Sequence, residues 1–532
     1  MKHTYFKILT AAVLGITAMT ACTKKLDLSP TNDVTANIVY ATPAGYKQAL
    51  AKVYGAMALT GNTGGTGSAD IPSQILSDEG NSDFLRGFWY LQTLSTDEAG
   101  WTYHSNTDPL GIHQMSWSSV NQTVAGAYYR SYFQIALCND FIRESSDANL
   151  SSRGITGASA DSIRTYKQEA RFLRAFQYWI LMDMFANPPM VDENTPIASG
   201  LPKQVARKDL FTYVESELLD VSTKLAAPKT NEYGRVDQAA AWALLARIYL
   251  NANIYTGIPR YTDCITYCNK IIGATYTLHP KYSELMLADN NLNTDEFIFA
   301  IPYDGTHTQN WGGTTTLVHG PAGVPASISG LSGSWGCIRV TQQFVGLFDT
   351  NDMRGQFYTS GQNLVMANLL DVSTDGYSST KFRNVTRSGG PAPDKDPAGN
   401  WSDVDFPLFR LGEVYLNYAE AVLRGGTGGD AATALGYINQ LRTRGYGGNS
   451  GNITSSSLTT DFILDERARE LFWEGLRRTD LIRYNKFTTA AYLWAWKGGV
   501  VNGTAVDSKY NIFPIPSTDL TANPNLVQNP GY

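Results

Sequence analysis

Apolar residues recur three and four positions apart along several stretches of the chain, and that spacing predicts a mostly helical, all-α protein. From Asp161 the run DSIRTYKQEARFLRAFQYWILMDMFANPP opens on capping residues, keeps Ala170, Leu173, Phe176, Ile180 and Met184 on one stripe, and stops at Pro188 and Pro189. Its last turns, Phe176 to Phe185, are apolar nearly all round, which places that end deep in a core. A second helix is predicted from Val236 to about Tyr255, where Ala239, Ala240, Ala241, Ala243 and Ala246 let another helix come close. Tyr261 to Ile272 follows Gly257 and Pro259 as its antiparallel partner. The same arrangement returns as Arg410 to Arg424, a Gly-rich turn from Gly425 to Gly429, and a helix up to Arg444. Pairs of this size with Ala-Leu-Tyr packing look like tetratricopeptide units, which stack into a right-handed scaffold. A last helix is predicted over Asp465 to Phe487, with Ala468, Leu471, Phe472, Gly475 and Ile482 on one face and Glu474 four residues before Arg478 on another.

Between these helices lie three long aperiodic stretches, Gly61 to Trp117, Ile301 to Trp335 and Gly361 to Asp405, rich in Gly, Ser, Thr, Asn, Asp and aromatics. They are too long to be connectors, and loops of that length tend to carry function. Composition sharpens the point: 30 Tyr, 21 Phe and 11 Trp make 12% of the chain, beside 48 Gly. Aromatics at helical spacing, among them Trp89, Tyr90, Tyr128, Phe176, Trp179, Tyr249 and Trp473, are assigned to the core. The aromatics of the loops suit a different chemistry. A sugar ring presents C–H faces and a rim of hydroxyls, so its site needs flat π-faces and amide, carboxylate or guanidinium groups. STDEAGWTYHSNTDP and PYDGTHTQNWGG, followed by Trp335 beside Gly333 and Gly336, have that make-up. The candidate stacking rings are Trp101, Tyr303, Trp311 and Trp335, and the candidate polar contacts are Tyr103, Asn106, Asp108 and Asn310.

Charge and motifs narrow the remaining classes. With 42 Lys and Arg against 48 Asp and Glu there is no basic face for a nucleic acid. Acidic groups at Asp78, Glu79 and Asp83, and at Asp97 and Glu98, lack the spacing of a calcium loop and are read as solvated turns or helix caps. No metal site and no cofactor are expected; Cys264 and Cys268, four apart, are read as buried thiols. The sequence carries no nucleophile elbow, P-loop or zinc-protease motif. A helical glycoside hydrolase needs only two well-spaced carboxylates and stays open as an alternative. So does a tetratricopeptide scaffold for a peptide partner.

The chain opens on Lys2 and Lys7, an apolar run from Ile8 to Met19, and Thr20-Ala21-Cys22. The run is too short to span a bilayer and reads as a secretory signal over residues 1–21, with Cys22 as the lipidated residue of a bacterial lipoprotein. The mature part, 22–532, is expected to form one composite unit from an N-terminal part of about 22–300 and a C-terminal part of about 301–532.

Several segments together resemble the SusD/RagB family: LDLSPTNDVT after the cysteine, YLQTLSTDEAGW, EARFLRAFQYWILMDMFANPP, EFIFAIPYD, RLGEVYLNYAEAVLR, and NIFPIPSTDLTANPNLVQNPGY at the end. In ERARELFWEGLRRTDLIRYNKF, residues Arg467, Glu470, Leu471, Glu474, Gly475, Arg477, Asp480, Leu481 and Arg483 all stand as the family pattern has them. The resemblance spans the mature chain in family order. It implies tetratricopeptide-like helix pairs packed against a loop-rich ligand-binding half with few short strands, and a non-enzymatic role. That role is a lipid-anchored glycan-binding protein facing the cell surface at the outer membrane. The implied partner is a SusC-like TonB-dependent receptor, to which the protein delivers its glycan. Thr23, Lys24 and Lys25 stand where surface-exported lipoproteins of this group often carry acidic residues.

Overall fold

The computed structural model of the chain describes residues 35–532 apart from 63, 67–68, 197–199 and 371–373. The signal, Cys22 and most of the segment LDLSPTNDVT lie outside the described residues. The rest is mostly helical, with short two-stranded ladders. The helices Gln122–Glu144, Gly157–Phe185, Arg207–Val221, Gln238–Leu250 and Tyr261–Ile272 each pack on the next, in the stacked-pair manner expected. Tyr261–Ile272 then packs on Leu411–Leu423, which also carries Ala431–Tyr446 and Thr460–Glu470.

That jump from residue 272 to residue 411 is made possible by one antiparallel ladder. Phe297–Ile301 pairs with Phe406–Arg410, and all ten side chains are buried. The ladder zips together the two ends of the 302–405 excursion, so the helical stack continues as if nothing had been inserted. It also joins the N-terminal and C-terminal parts of the chain in one sheet.

Where helix limits differ from those expected, side chains from elsewhere in the chain account for it. The 157–185 helix starts one turn before Asp161, because Ala160 and Ile163 extend its buried stripe. The helix predicted to run to Tyr255 breaks at Asn251, whose Nδ2 donates to the Arg247 carbonyl while its Oδ1 accepts from Arg483. The single helix expected over 465–487 is two, Thr460–Glu470 and Arg477–Arg483. Between them Trp473 and Gly475 both have positive φ, 62° and 75°. Trp473 is pulled out of helical geometry by Glu98, which accepts from both its backbone N–H and its indole N–H. A Cβ on Gly475 would stand 2.4 Å from Phe88. The expected Glu474–Arg478 helical pair therefore does not form: Glu474 binds Arg410 and Lys381, and Arg478 turns to Asp183.

Around this break sits a buried ionic network. Glu470 accepts from Arg410 at 2.6 Å, Arg444 at 2.5 Å and Arg354 at 3.2 Å; Glu466 accepts from Arg354, Arg442 and Arg469. Arg410 and Arg444 also share Glu296. Burial alone would raise these carboxyl groups, but the guanidinium groups overcome it, holding Glu466 at about 2 and Glu470 lower still. The acidic pair Asp97 and Glu98, expected on a solvated turn, is likewise buried: Asp97 is held by Arg477 and Tyr492.

Candidate functional site

The loops that leave the ladder converge on one aromatic face. Asp83 organises its base. Its Oδ1 accepts the backbone N–H of Arg86, starting the Phe84–Trp89 helix, and that of Gly313, starting the Gly313–His319 helix. Gly313 has φ of +55°, and a Cβ there would run into the Tyr303 ring, so the loop can fold back over Tyr303 only with glycine at this position. Asp78 caps the adjoining 3-10 turn, and both carboxylates act as caps as the sequence suggested.

Trp311 is half-buried at the crest of this loop. Its N–H donates to Glu79 at 3.4 Å, and its carbonyl accepts from Arg86 at 3.3 Å and Thr316 at 3.1 Å. Burial pushes the Glu79 carboxyl up to about 7 despite that N–H. Trp401 lies 4.3 Å from Trp311, centroid to centroid, and Trp335 lies 6.1 Å from it. Trp335, also half-buried, stacks on His319 at 4.9 Å with the rings within 6° of parallel. Tyr103, 38% exposed, donates its hydroxyl to the Trp335 carbonyl. The short pairing of Gly100–Trp101 with Ile338–Arg339 brings the Tyr103 loop and the Trp335 loop together. Tyr103, Trp335 and Trp311 thus form a run of partly exposed rings, backed by Trp401 and His319.

Not every candidate joins that run. Trp101 is 3% exposed, its ring edge-on to Tyr90 and Tyr103 inside the main core. Tyr303 is 6% exposed beneath Gly313, its N–H bound to Asp405. Neither offers a ring face to solvent; both support the rings above. Asn310 is also buried, its amide spanning the Ala58 carbonyl and the Gly312 N–H. Asp108 receives Gln122 N–H at the start of the 122–144 helix, and its carbonyl receives Asn121. These polar groups are spent on folding the loops. Asn106 is half-buried at the start of the Thr107–His113 helix, with no capping bond from its side chain.

Trp401 and His319 were not among the candidates. Trp401 lies in the 361–405 stretch already marked as functional by its composition, and that was the available signal. His319 ends a Thr-rich helix and carries none. Among the described residues no group of three or more His, Cys, Asp or Glu could hold a metal ion.

Comparisons with known proteins bear on all of this. The SusD family model matches residues 352–532. The starch-binding protein SusD of Bacteroides thetaiotaomicron is 34% identical, over 100% of both chains. A SusD-like protein of Bacteroides ovatus is 23% identical over 70% of this chain and 67% of its own. Among solved structures, surface glycan-binding protein A from Bacteroides fluxus superposes with a TM-score of 0.69 at 20% identity, covering 92% of this chain and 100% of that one. Its namesake from Bacteroides thetaiotaomicron, in complex with laminarihexaose, gives 0.67 at 21% identity, covering 91% and 99%. At these identities the likeness to solved structures speaks for the fold.

Proposed function

The chain belongs to the SusD family, and we propose that it is a lipid-anchored protein that captures oligo- or polysaccharide at the cell surface and passes it to a SusC-like TonB-dependent receptor. It is a binding protein and not an enzyme, and the glycoside-hydrolase alternative falls with the family assignment. The observation that carries the reading is the face of Tyr103, Trp335 and Trp311, three partly exposed rings held on loops that a rigid helical frame fixes. The stacking role is assigned to Trp311 and Trp335, with Tyr103 at the edge. Trp101 and Tyr303 support the face from below. A relative named for starch binding and a structural neighbour holding laminarihexaose make glucans the first ligands to try.

Anchoring is assigned to Cys22. Among the described residues no helix is long and apolar enough to cross a membrane. Tethering makes modest affinity sufficient, because a binding protein held at its receptor presents ligand at an effective concentration on the order of millimolar.

The test is affinity electrophoresis and calorimetry with soluble starch and laminarin. The mature protein should bind at least one of them without releasing reducing ends, and Trp311→Ala or Trp335→Ala should weaken retention while the melting temperature holds. Sugar release, or full retention by both variants, would refute the proposal. A fatty-acid probe should label the wild type and not Cys22→Ala.

A further inference from the structure

We infer that Asp403 is a positioning residue for glycan binding: its two carboxylate oxygens hold the loop that carries Trp401 against the turn that leads to Trp311, and so fix the Trp311 ring for stacking. The inference rests on reading Trp311 and Trp335 as the glycan platform.

The backbone pairing of Phe297–Ile301 with Phe406–Arg410 ends with Ile301 opposite Phe406. Two aspartates prolong it with their side chains. Asp405 accepts the Tyr303 N–H at 2.7 Å, and Asp403 accepts the Gly305 N–H, again at 2.7 Å. The second oxygen of Asp403 accepts the Asp394 N–H at 2.6 Å, which closes the 394–403 loop on itself. The Asp403 N–H donates to the Asn384 side-chain oxygen at 2.7 Å, so its backbone is held as well. One carboxylate therefore clasps the Trp401 loop and joins it to the start of the turn that ends in Trp311.

The loops touch closely at this point. A Cβ on Gly305 would stand 2.7 Å from the Asp403 carboxylate, 2.8 Å from the Asp394 carbonyl oxygen and 3.1 Å from that of Trp401. Among the described residues, the Gly305–Asp403 bond is the one hydrogen bond between 304–311 and 394–403. The other ties of the Trp401 loop lead elsewhere: the Trp401 N–H goes to Asp396 at 2.9 Å, the Ser402 N–H to the Thr315 hydroxyl at 3.2 Å, and the Gly399 carbonyl accepts from Ser332 N–H at 2.8 Å. Asp403 is 5% exposed; burial pushes its carboxyl up and the two N–H groups oppose that, with no cationic side chain paired to it among the described residues. Trp401 is 7% exposed, so at 4.3 Å from Trp311 it is the wall that keeps that ring from turning and not a surface for sugar. Loosening the wall frees rotamers of Trp311 that must be frozen again when a sugar stacks on it.

Titration calorimetry with soluble starch and laminarin, together with far-UV circular dichroism, would be run on wild type, Asp403→Asn, Gly305→Ala, Glu470→Gln and Trp311→Ala. Indoles 4.3 Å apart couple their transitions, and the wild-type spectrum minus that of Trp401→Phe isolates this couplet from that of Trp89 and Trp473, 5.0 Å apart. Asn offers one accepting oxygen where the carboxylate offers two, so one of the two N–H groups is left facing an amide NH₂. Asp403→Asn should lose the couplet and about five- to tenfold in affinity, the worth of immobilising one large side chain. Gly305→Ala presses on the same contact from the other loop and should do likewise, the double variant losing less than the two combined because they share that contact. Glu470→Gln, which weakens the buried frame away from the face, should keep both couplet and affinity. Wild-type affinity in Asp403→Asn, a loss of affinity with the couplet intact, or an equal loss in Glu470→Gln would overturn the inference. If Asp403→Asn fails to fold, Gly305→Ala decides by the same two readouts. Full affinity in Trp311→Ala would instead remove the platform reading, and the inference with it.

Discussion

Replacing Glu470 by Gln tests whether the family's C-terminal motif is there for the frame. The carboxylate is fully buried, and its two oxygens accept from three arginines, Arg354, Arg410 and Arg444. Gln conserves shape but removes the charge and turns an NH₂ toward guanidinium donors. The guanidinium groups keep only part of their compensation, Arg410 and Arg444 from Glu296, Arg410 from Glu474, and Arg354 from Asp352 and Glu466. Breaking a buried network on one side costs about 3–5 kcal/mol, because the orphaned charge is worse than no charge. A chain of this length unfolds with an entropy on the order of 1 kcal/mol per degree, so the melting temperature should fall by about 3–5 °C. Differential scanning calorimetry together with urea titration would measure it, with glucan affinity at room temperature as the control, expected unchanged. A loss under about 1 kcal/mol would show that the arginines relax into other partners, and the argument from buried charge would be wrong.

The same network predicts an acid limb. Because the folded carboxyl group of Glu466 is held at about 2 and that of Glu470 lower, their stabilisation is complete above the unfolded glutamate value of ~4.3 and disappears as the pH falls through the folded values. Stability should drop steeply between about pH 4.5 and 2, and Glu470→Gln should flatten that slope; equal slopes would count against it. Gly475→Ala places a Cβ against Phe88 at a φ of +75° and should cost about 2–4 kcal/mol in urea unfolding. Trp101→Ala, at a ring 3% exposed, should cost about 3–5 kcal/mol and so behave unlike Trp335→Ala; a stable Trp101→Ala with reduced glucan binding would return Trp101 to the ligand face.

Periodicity made the frame legible. Tyr261–Ile272 lies where the sequence placed it, and the other paired helices lie within a few residues, because a stripe of apolar residues needs only a partner surface to bury it. It failed where long-range contacts outweighed local pattern. Nothing near Trp473 shows that Glu98 waits for its N–H groups, or that Phe88 will demand a left-handed Gly475. The site divides on the same principle. Loop composition located the aromatic segments but could not tell which rings face outward, since Trp101 and Trp335 sit in similar company and differ in what folds over them. Asn310 and Asp108 looked like ligand contacts because loop-building and sugar-binding draw on the same amides and carboxylates.

The ladder of Phe297–Ile301 with Phe406–Arg410 has an evolutionary corollary. Since it fixes the ends of the 302–405 excursion side by side, the loops between them can change in length and sequence at little cost wherever they are not anchored to the frame as Arg354 and Lys381 are, loop-closure entropy growing only with the logarithm of length. Trp311, Trp335 and Trp401 all ride on that cassette, which touches the frame at its two clasped ends and through a few buried anchors such as Arg354 on Glu466 and Glu470 and Lys381 on Glu474. A chimera that swaps the segment between two relatives at the ladder should keep the host's frame and take on much of the donor's appetite for sugars. Diversification of diet in such a lineage would then proceed by rewriting one stretch of chain.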